Sequence, residues 1–319
     1  MAGYLVRRLL LSALTLLMIT LFVYVAARVL PGEPTWGEEP QVRPHVDAWL
    51  RSVHATESIP RGYAHWLSGM MRLDLGTSIA LQPGRRVTEL VGEAFPWTLT
   101  LGLLSFLTTL LIALPLGIIA AWRPASLAAR AGAAGLYLLH ALPTFWIALV
   151  LQDLLAGRMG LLPVLGTTAG GTGVSPSSWI LPTLALSIGS LAFVIRYFRS
   201  TLLDSAQASY SRAARARGAG DGRILMGHAL ANTAVPMISL LGMILPGILG
   251  GSVVIESIFA LPGLGRLLYR AAAQRDYPVV MGLALLTATA TLVATLIADL
   301  LYRVADPRVP RAGEREADA

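Results

Sequence analysis

The chain has 319 residues, of which 55% are hydrophobic and 13% charged, with a mean hydropathy of +0.64. A water-soluble domain carries about 25% charged residues, so this balance excludes an ordinary soluble globule and predicts an all-α membrane protein. The net charge of +7 does not read as nucleic-acid binding, because the arginines flank apolar runs, where they act as anchors on one side of a bilayer.

Two absences narrow the chemistry. With no cysteine there is no disulfide, thiolate metal ligand or thiol nucleophile. All 25 basic residues are arginine and none is lysine. A standard P-loop needs its lysine on the β/γ-phosphates, and a Schiff-base enzyme needs an amine. The chain is therefore not expected to be an enzyme, and any ATP that drives it is hydrolysed on another subunit.

A helix needs about 20 apolar residues to cross the ~30 Å hydrocarbon core. Six segments meet or approach this, at 9–27, 97–122, 131–152, 179–195, 234–255 and 279–298. Arg7 and Arg8 before the first resemble the start of a signal peptide. Its apolar run exceeds the usual ~7–15 residues, and LPGEP follows in place of a small-x-small cleavage site, so a retained anchor within residues 1–30 is expected. Residues 31–95 form a long loop with Trp36, Trp49 and Trp66, whose amphipathic stretch 63–71 is suited either to receiving a partner or to resting on lipid. Residues 96–305 hold the other five spans, interrupted by a basic loop at 203–235, and residues 306–319 form a tail. The fourth span is the shortest, with ends that extend to Tyr197 and Phe198. Pro115, Pro143, Pro182 and Pro246 are expected to kink their helices.

An even number of spans puts both termini on one side. Arginine is concentrated before the first span, between the second and third, after the fourth and after the sixth, so both termini are expected in the cytoplasm. Within the limits above the spans contain no Asp, Glu or Arg, and His140 is the only titratable group at depth, read as a packed or pore-side imidazole. Asp153, Glu256 and Asp299 stand at span ends, where water reaches them. Ion-coupled carriers keep ionisable residues inside the membrane, so that class is disfavoured. The five histidines lack i,i+3 or i,i+4 ligand spacing, and no metal site is expected. A channel is the other class left, and no carbonyl-ring filter sequence such as TVGYG is present to support it. What remains is a transporter powered from outside the chain, with a non-transporting membrane scaffold as the alternative from another class.

The stretch SRAARARGAGDGRILMGHALANTAVP, residues 211–236, stands out. Its alanines favour a short helix without bulk, and Gly218, Gly220 and Gly222 stop that helix. Arg212 and Arg215 share a face and can pair with acidic groups on a soluble partner, while Arg217 points elsewhere. The other reading is a solvated loop whose arginines serve topology, and composition alone does not separate the two.

With Tyr210, Arg212, Ala214, Arg215, Ala216, Arg217 and Gly218, followed by His228, Ala229, Leu230, Asn232 and Pro236, this segment resembles the cytoplasmic EAA loop of permease subunits in binding-protein-dependent ABC importers. It is most similar to the dipeptide/oligopeptide/nickel group, in which arginine at the position of Arg212 replaces the wider family's glutamate. YLVRRLLLSALTLLMITLFVYVAARVLPGEP, LDLGTSI, ALPTFW, ESIFALPGLGRLL, RDYPVVMG and ADPR follow that group's order, so the resemblance covers nearly the whole chain. It implies the type I importer permease architecture with six spans. The implied partners are a second homologous permease, two cytoplasmic ATPase subunits (or one fused chain) that carry ATP and magnesium, and an extracytoplasmic substrate-binding protein, with lipid around them. By resemblance, Tyr210, Arg212, Ala213, Ala214, Arg215, Ala216, Arg217, Gly218 and Asp221 dock in an ATPase groove, and Ala214 and Gly218 need to stay small.

Glu256, Pro262, Gly263, Gly265, Arg266 and Asp276 form the second candidate group, in a segment of the opposite face that lines or gates the path. The competing and favoured reading is a structural hairpin with Glu256 and Arg266 at the headgroups. Pro143, Phe145 and Trp146 are read as packing residues. Ser105, Thr108, Thr109, Ser187 and Ser190 dot a path suited to a polar solute, unless they only bridge helices. Family breadth favours peptides as substrate over nickel, glutathione or another small solute.

Overall fold

The computed structural model of the protein describes residues 2–29, 43–52, 57–122, 126–165 and 175–305. The LPGEP exit of the first span, Trp36, His54, the tail 306–319 and most of the ADPR motif lie outside the described residues. The long elements are all helices: α1 (Ala2–Val29), α2 (Arg43–Ser52), α3 (Ile59–Met70), α4 (Val87–Trp122), α5 (Leu127–Ala141), α6 (Thr144–Leu151), α7 (Ile180–Gln207), α8 (Ser209–Ala216), α9 (Asp221–Arg223), α10 (Leu230–Gly250), α11 (Val253–Ile258), α12 (Leu264–Ala273) and α13 (Tyr277–Ala305). Two π-helical turns, Gln152–Arg158 and Ile224–Ala229, extend α6 and lead into α10.

Among the described residues, four stretches are long and apolar enough to cross a membrane: Val6–Val29, Val87–Trp122, Pro176–Gln207 and Tyr277–Leu300. They match the first, second, fourth and sixth expected spans. The third expected span is divided, because Pro143 stands between α5 and α6 in an extended conformation (φ −61°, ψ 135°). Proline lacks the donor a helix needs and drives the residue before it out of the helical region. The fifth ends at Gly250 instead of running to 255. Gly251 adopts φ +73°, which costs little only for glycine, and turns the chain into α11. Pro115 lies inside α4 without ending it, and Pro182 falls in the first turn of α7, where its missing N–H is not required.

Helix α4 begins at Val87, well before the expected start at 97. Its 36 residues make a rod of about 54 Å at 1.5 Å per residue, against ~30 Å of hydrocarbon. Glu89 and Glu93 lower the hydropathy of its first turns, and both pair with Arg85. Those two pairs raise the Arg85 pKa, the Glu93 hydrogen bond most. The same turns bury Val87, Leu90, Val91 and Ala94 against Leu264, Ala271 and Val279, so packing sustains the helix beyond the bilayer-length segment.

Small residues let the central helices approach closely. Gly102 of α4 faces Ile248 of α10, and Gly117 faces the Phe198 ring of α7. The Arg199 Nε donates to the Ala120 carbonyl at 3.2 Å, satisfying one of the carbonyls left free at the α4 C-terminus. Helix α1 lies along α13. One end of that pair is tied by the ion pair of Arg8 with Asp299. At the other end Tyr24 and Trp66 are buried with Met281, and the Tyr63 hydroxyl meets Thr20 Oγ1 at 2.8 Å. Tyr63 and Trp66 of the amphipathic stretch 63–71 are thus seated on α1, while Met71 is exposed. Trp49 of α2 stacks on Tyr277, 5.2 Å between ring centroids.

Candidate functional site

A cleft of about 210 Å³ runs between α4, α7 and α10. Its walls are apolar apart from Glu256 and several hydroxyls, which include those of Ser105, Thr109 and Ser190 from the expected path. Thr109 and Ser190 meet each other at 3.2 Å. Ser187 does not line the cleft; its hydroxyl is buried and donates to the Ser105 carbonyl at 3.0 Å and the Thr183 carbonyl at 2.6 Å. Ser187 therefore joins α4 to α7, and Thr108 lies away from the cleft wall.

One end of the cleft is closed by a hairpin made of α11 and α12. The chain leaves α10 at Gly251, and Ser252 caps α11 by accepting from Ile255 N. Ala260 turns through φ +56°, a left-handed conformation unusual for a residue with a Cβ. The Arg266 guanidinium donates to the Ala260 carbonyl at 2.5 Å and holds that corner. Burial, then the neighbouring Arg270 charge, push the Arg266 pKa down.

The centre of the hairpin is Glu256, which is 1% exposed. This corrects the expectation of a water-reached carboxylate at the headgroups: the hairpin folds back over it. Thr98 Oγ1 donates to Glu256 Oε1 at 2.9 Å and accepts from Leu264 N at 2.8 Å. Arg266 N donates to Oε2 at 3.0 Å. Leu264 and Arg266 belong to the first turn of α12, whose N–H groups have no partner within the helix. Glu256 and Thr98 supply those partners from two other helices, and the negative charge sits at the positive end of α12. A Cβ on Gly263 would fall 2.5 Å from the Glu256 carboxyl carbon and 2.7 Å from Thr98 Oγ1, and one on Gly265 would fall 2.6 Å from Val253 N. The glycines of the PGLGR sequence thus serve close approach, while Pro262 is exposed on the bend.

Asp276 is not part of this cage. It is fully buried and holds the turn at 78–81, accepting from the Ser78 hydroxyl at 2.5 Å, Ile79 N at 3.3 Å, Ala80 N at 3.1 Å and Leu81 N at 2.9 Å. The LDLGTSI and RDYP segments, far apart in the chain, are one structural unit. Ser78 and Thr98 escaped the residue-level reading, since a hydroxyl residue in an apolar run gives no signal of its partner.

At the other end of α4, the short helix α8 lies against α7 and the π-helical turn Ile224–Ala229. Ser211 and Ala214 are its buried side. Tyr210, Arg212, Ala213, Ala216 and Arg217 are exposed. Arg215 is also exposed, and pairs with Asp221 at 2.9 Å, tying α8 to α9. Only Gly218 ends the helix, at φ +88°. Gly220 precedes α9 and Gly222 lies inside it, near the Trp122 ring. The small side chain at 214 is required by the chain's own packing, whereas a Cβ on Gly218 would meet nothing within 4 Å. Phe145 and Trp146, read as packing residues, are exposed on the surface of the chain, as is His140, read as a packed or pore-side imidazole. Among the described residues no His, Asp and Glu side chains converge as a metal site requires.

A bundle of apolar helices around a largely apolar cleft, with an exposed basic helix at one end, fits a membrane transport subunit. Residues 113–311 match the family described as binding-protein-dependent transport system inner membrane component, and the chain belongs to that family. It is a multi-pass protein of the inner membrane. It is 36% identical to the oligopeptide transport system permease protein AppB of Bacillus subtilis (strain 168), over 97% of this chain and 99% of that one. It is 32% identical to the dipeptide transport system permease protein DppB of the same strain, over 97% and 98%. A chain of the MetNI methionine ABC transporter in its inward-facing conformation shares the fold, with a TM-score of 0.55 at 18% identity, covering 69% of this chain and 97% of that chain.

Proposed function

We propose that this chain forms half of the translocation path for di- or oligopeptides in an ATP-driven importer. A second homologous permease completes the path, an extracytoplasmic binding protein delivers the peptide, and two cytoplasmic ATPase subunits (or one fused chain) bind ATP and magnesium. In this reading the chain crosses the membrane six times with both termini in the cytoplasm, so α8 faces the ATPases and the α11–α12 hairpin faces outward. Peptides are favoured because the AppB and DppB relatives, named for oligopeptide and dipeptide transport, align over nearly the whole chain.

The observation that carries the coupling role is α8. Its inner side is fixed by Ala214 and Ser211, and its other side presents Tyr210, Arg212, Ala213, Ala216 and Arg217. The spans carry their charged residues towards their ends. The segments 9–27, 97–122, 131–152, 179–195, 234–255 and 279–298 hold no Asp, Glu or Arg as a handle for a membrane potential or a proton, so force enters by contact at this face. Thr98 and Trp122 are 24 residues apart on α4, which places the two ends about 36 Å from each other. A rigid helix of that length can carry rocking from α8 to the hairpin.

Ala213→Trp, on the exposed side of α8, should leave insertion and thermal stability intact while abolishing stimulated ATP hydrolysis and peptide uptake in proteoliposomes. Ala214→Trp should instead unseat α8 from its own chain and lower stability. Unchanged ATPase activity and uptake in the Ala213 variant would show that this face does not dock the ATPase.

A further inference from the structure

We infer that Glu256 makes the translocation path selective for cationic over anionic solutes, so that the ammonium of a peptide is favoured beside it; this rests on the peptide reading above. Of the sixteen residues lining the cleft, Glu256 alone is charged. Its carboxylate is held by two neutral donors, the Thr98 hydroxyl and the Arg266 backbone N–H. Among the described residues no cationic side chain forms an ion pair with it. The nearby guanidinium of Arg266 turns away to the Ala260 carbonyl. Among the described residues the charge is therefore met by hydrogen-bond donors and the α12 N-terminus, without a side-chain counter-ion.

Its position makes that charge felt in the cleft. Glu256 is almost inaccessible to solvent, so it does not bind the solute as an open site would. It stands behind a thin part of the wall, where Gly251 has no side chain to cover it; a Cβ there would come within 2.9 Å of Oε1. Apolar walls keep water from screening the field, and a low-dielectric channel lined by one sign of charge concentrates ions of the other sign. At an effective dielectric between those of protein interior and water, one unit charge several ångströms away changes occupancy by about tenfold.

The test uses the complete complex in proteoliposomes, with two probe peptides, Lys-Lys and Glu-Glu. Each variant's uptake rate is divided by the wild-type rate for the same peptide, which cancels any preference of the binding protein. Glu256→Gln keeps the shape and removes the charge. The Lys-Lys ratio is expected to fall about tenfold relative to the Glu-Glu ratio. A purely structural role of Glu256 would lower both ratios by the same factor, and that result, or no change in either, overturns the inference. If Glu256→Gln does not co-purify with the ATPase subunits, Ser190→Lys decides. It places an ammonium on the cleft wall without touching the Glu256 cage and should lower the Lys-Lys ratio relative to the Glu-Glu ratio, whereas equal ratios overturn the inference. If the wild-type complex takes up neither probe nor any other peptide, the peptide reading falls, and this inference with it.

Discussion

Gly265→Ala is expected to abolish uptake and to prevent a stable complex from forming, although it adds a single methyl group. A Cβ at this position would stand 2.6 Å from Val253 N, 2.8 Å from Val253 Cα and 2.9 Å from Ser252 C. All three are backbone atoms, so no rotamer change relieves the clash. Ordinary carbon contacts lie near 3.5–4.0 Å, and α12 would have to move away from α11 by about 1 Å. That movement draws Arg266 N off Glu256 Oε2, now 3.0 Å away, and strips a buried carboxylate of one of its two donors. Overpacking costs about 1–3 kcal/mol, and losing a hydrogen bond to a buried charged group costs about 1.5–3 kcal/mol more. The sum approaches the lower end of the stability of a typical domain. Gly92→Ala in α4 is the control. A Cβ there meets nothing within 4 Å, and alanine improves an exposed helical position by about 0.5–1 kcal/mol. Thermal unfolding in detergent should separate the two variants widely. Equal midpoints would mean that the hairpin is not closely packed at Gly265.

How much of this could be read from residues alone depended on whether the signal was local. Apolar length and flanking arginines located the helices, since crossing hydrocarbon demands a run of apolar residues whatever the fold. The ends of α4 and α10 were harder, because tertiary contacts set them. Leu90 and Val91 are buried against α12 and α13, which extends α4 past its apolar segment, and Gly251 ends α10 where hydropathy continues. The short helix α8 was legible through its alanines and through Gly218. Its orientation was not, since three alanines in a row of small residues look alike, and only the fold shows that Ala214 is the one turned inward. Glu256 was misplaced for a related reason. A carboxylate at the end of an apolar run reads as water-facing, and nothing nearby in sequence announces that Thr98, from a different span, will donate to it.

The same distance in sequence separates Asp276 from the turn it organises, and removing its carboxylate should detach that turn. An Asp just before a helix commonly serves as its N-cap. Its backbone does open α13, with Val280 N donating to the Asp276 carbonyl at 3.0 Å. The side chain, however, points to residues 78–81, where one hydroxyl and three backbone N–H groups converge on its two oxygens. Ser78 Oγ in turn accepts from Gln82 N at 2.9 Å, so the turn closes on itself around the acid. Asp276→Ala leaves these donors without an acceptor at a site that is 0% exposed. Each unsatisfied buried donor costs about 1–3 kcal/mol, and water entering the loosened turn recovers part of it, which leaves about 3–5 kcal/mol lost. Asp276→Asn should cost less, about 1–2 kcal/mol. Its amide oxygen, in the place of Oδ2, still accepts from Ser78, Ala80 and Leu81, and its amino group opposes only the longest bond, that to Ile79 N. The order of unfolding midpoints is therefore wild type, Asn, then Ala. Trypsin provides a local readout, since Arg85 and Arg86 follow the turn directly. Cleavage there should be fastest in the alanine variant and intermediate in the asparagine one. If all three proteins are cut at the same rate, something other than this carboxylate holds the turn against α13.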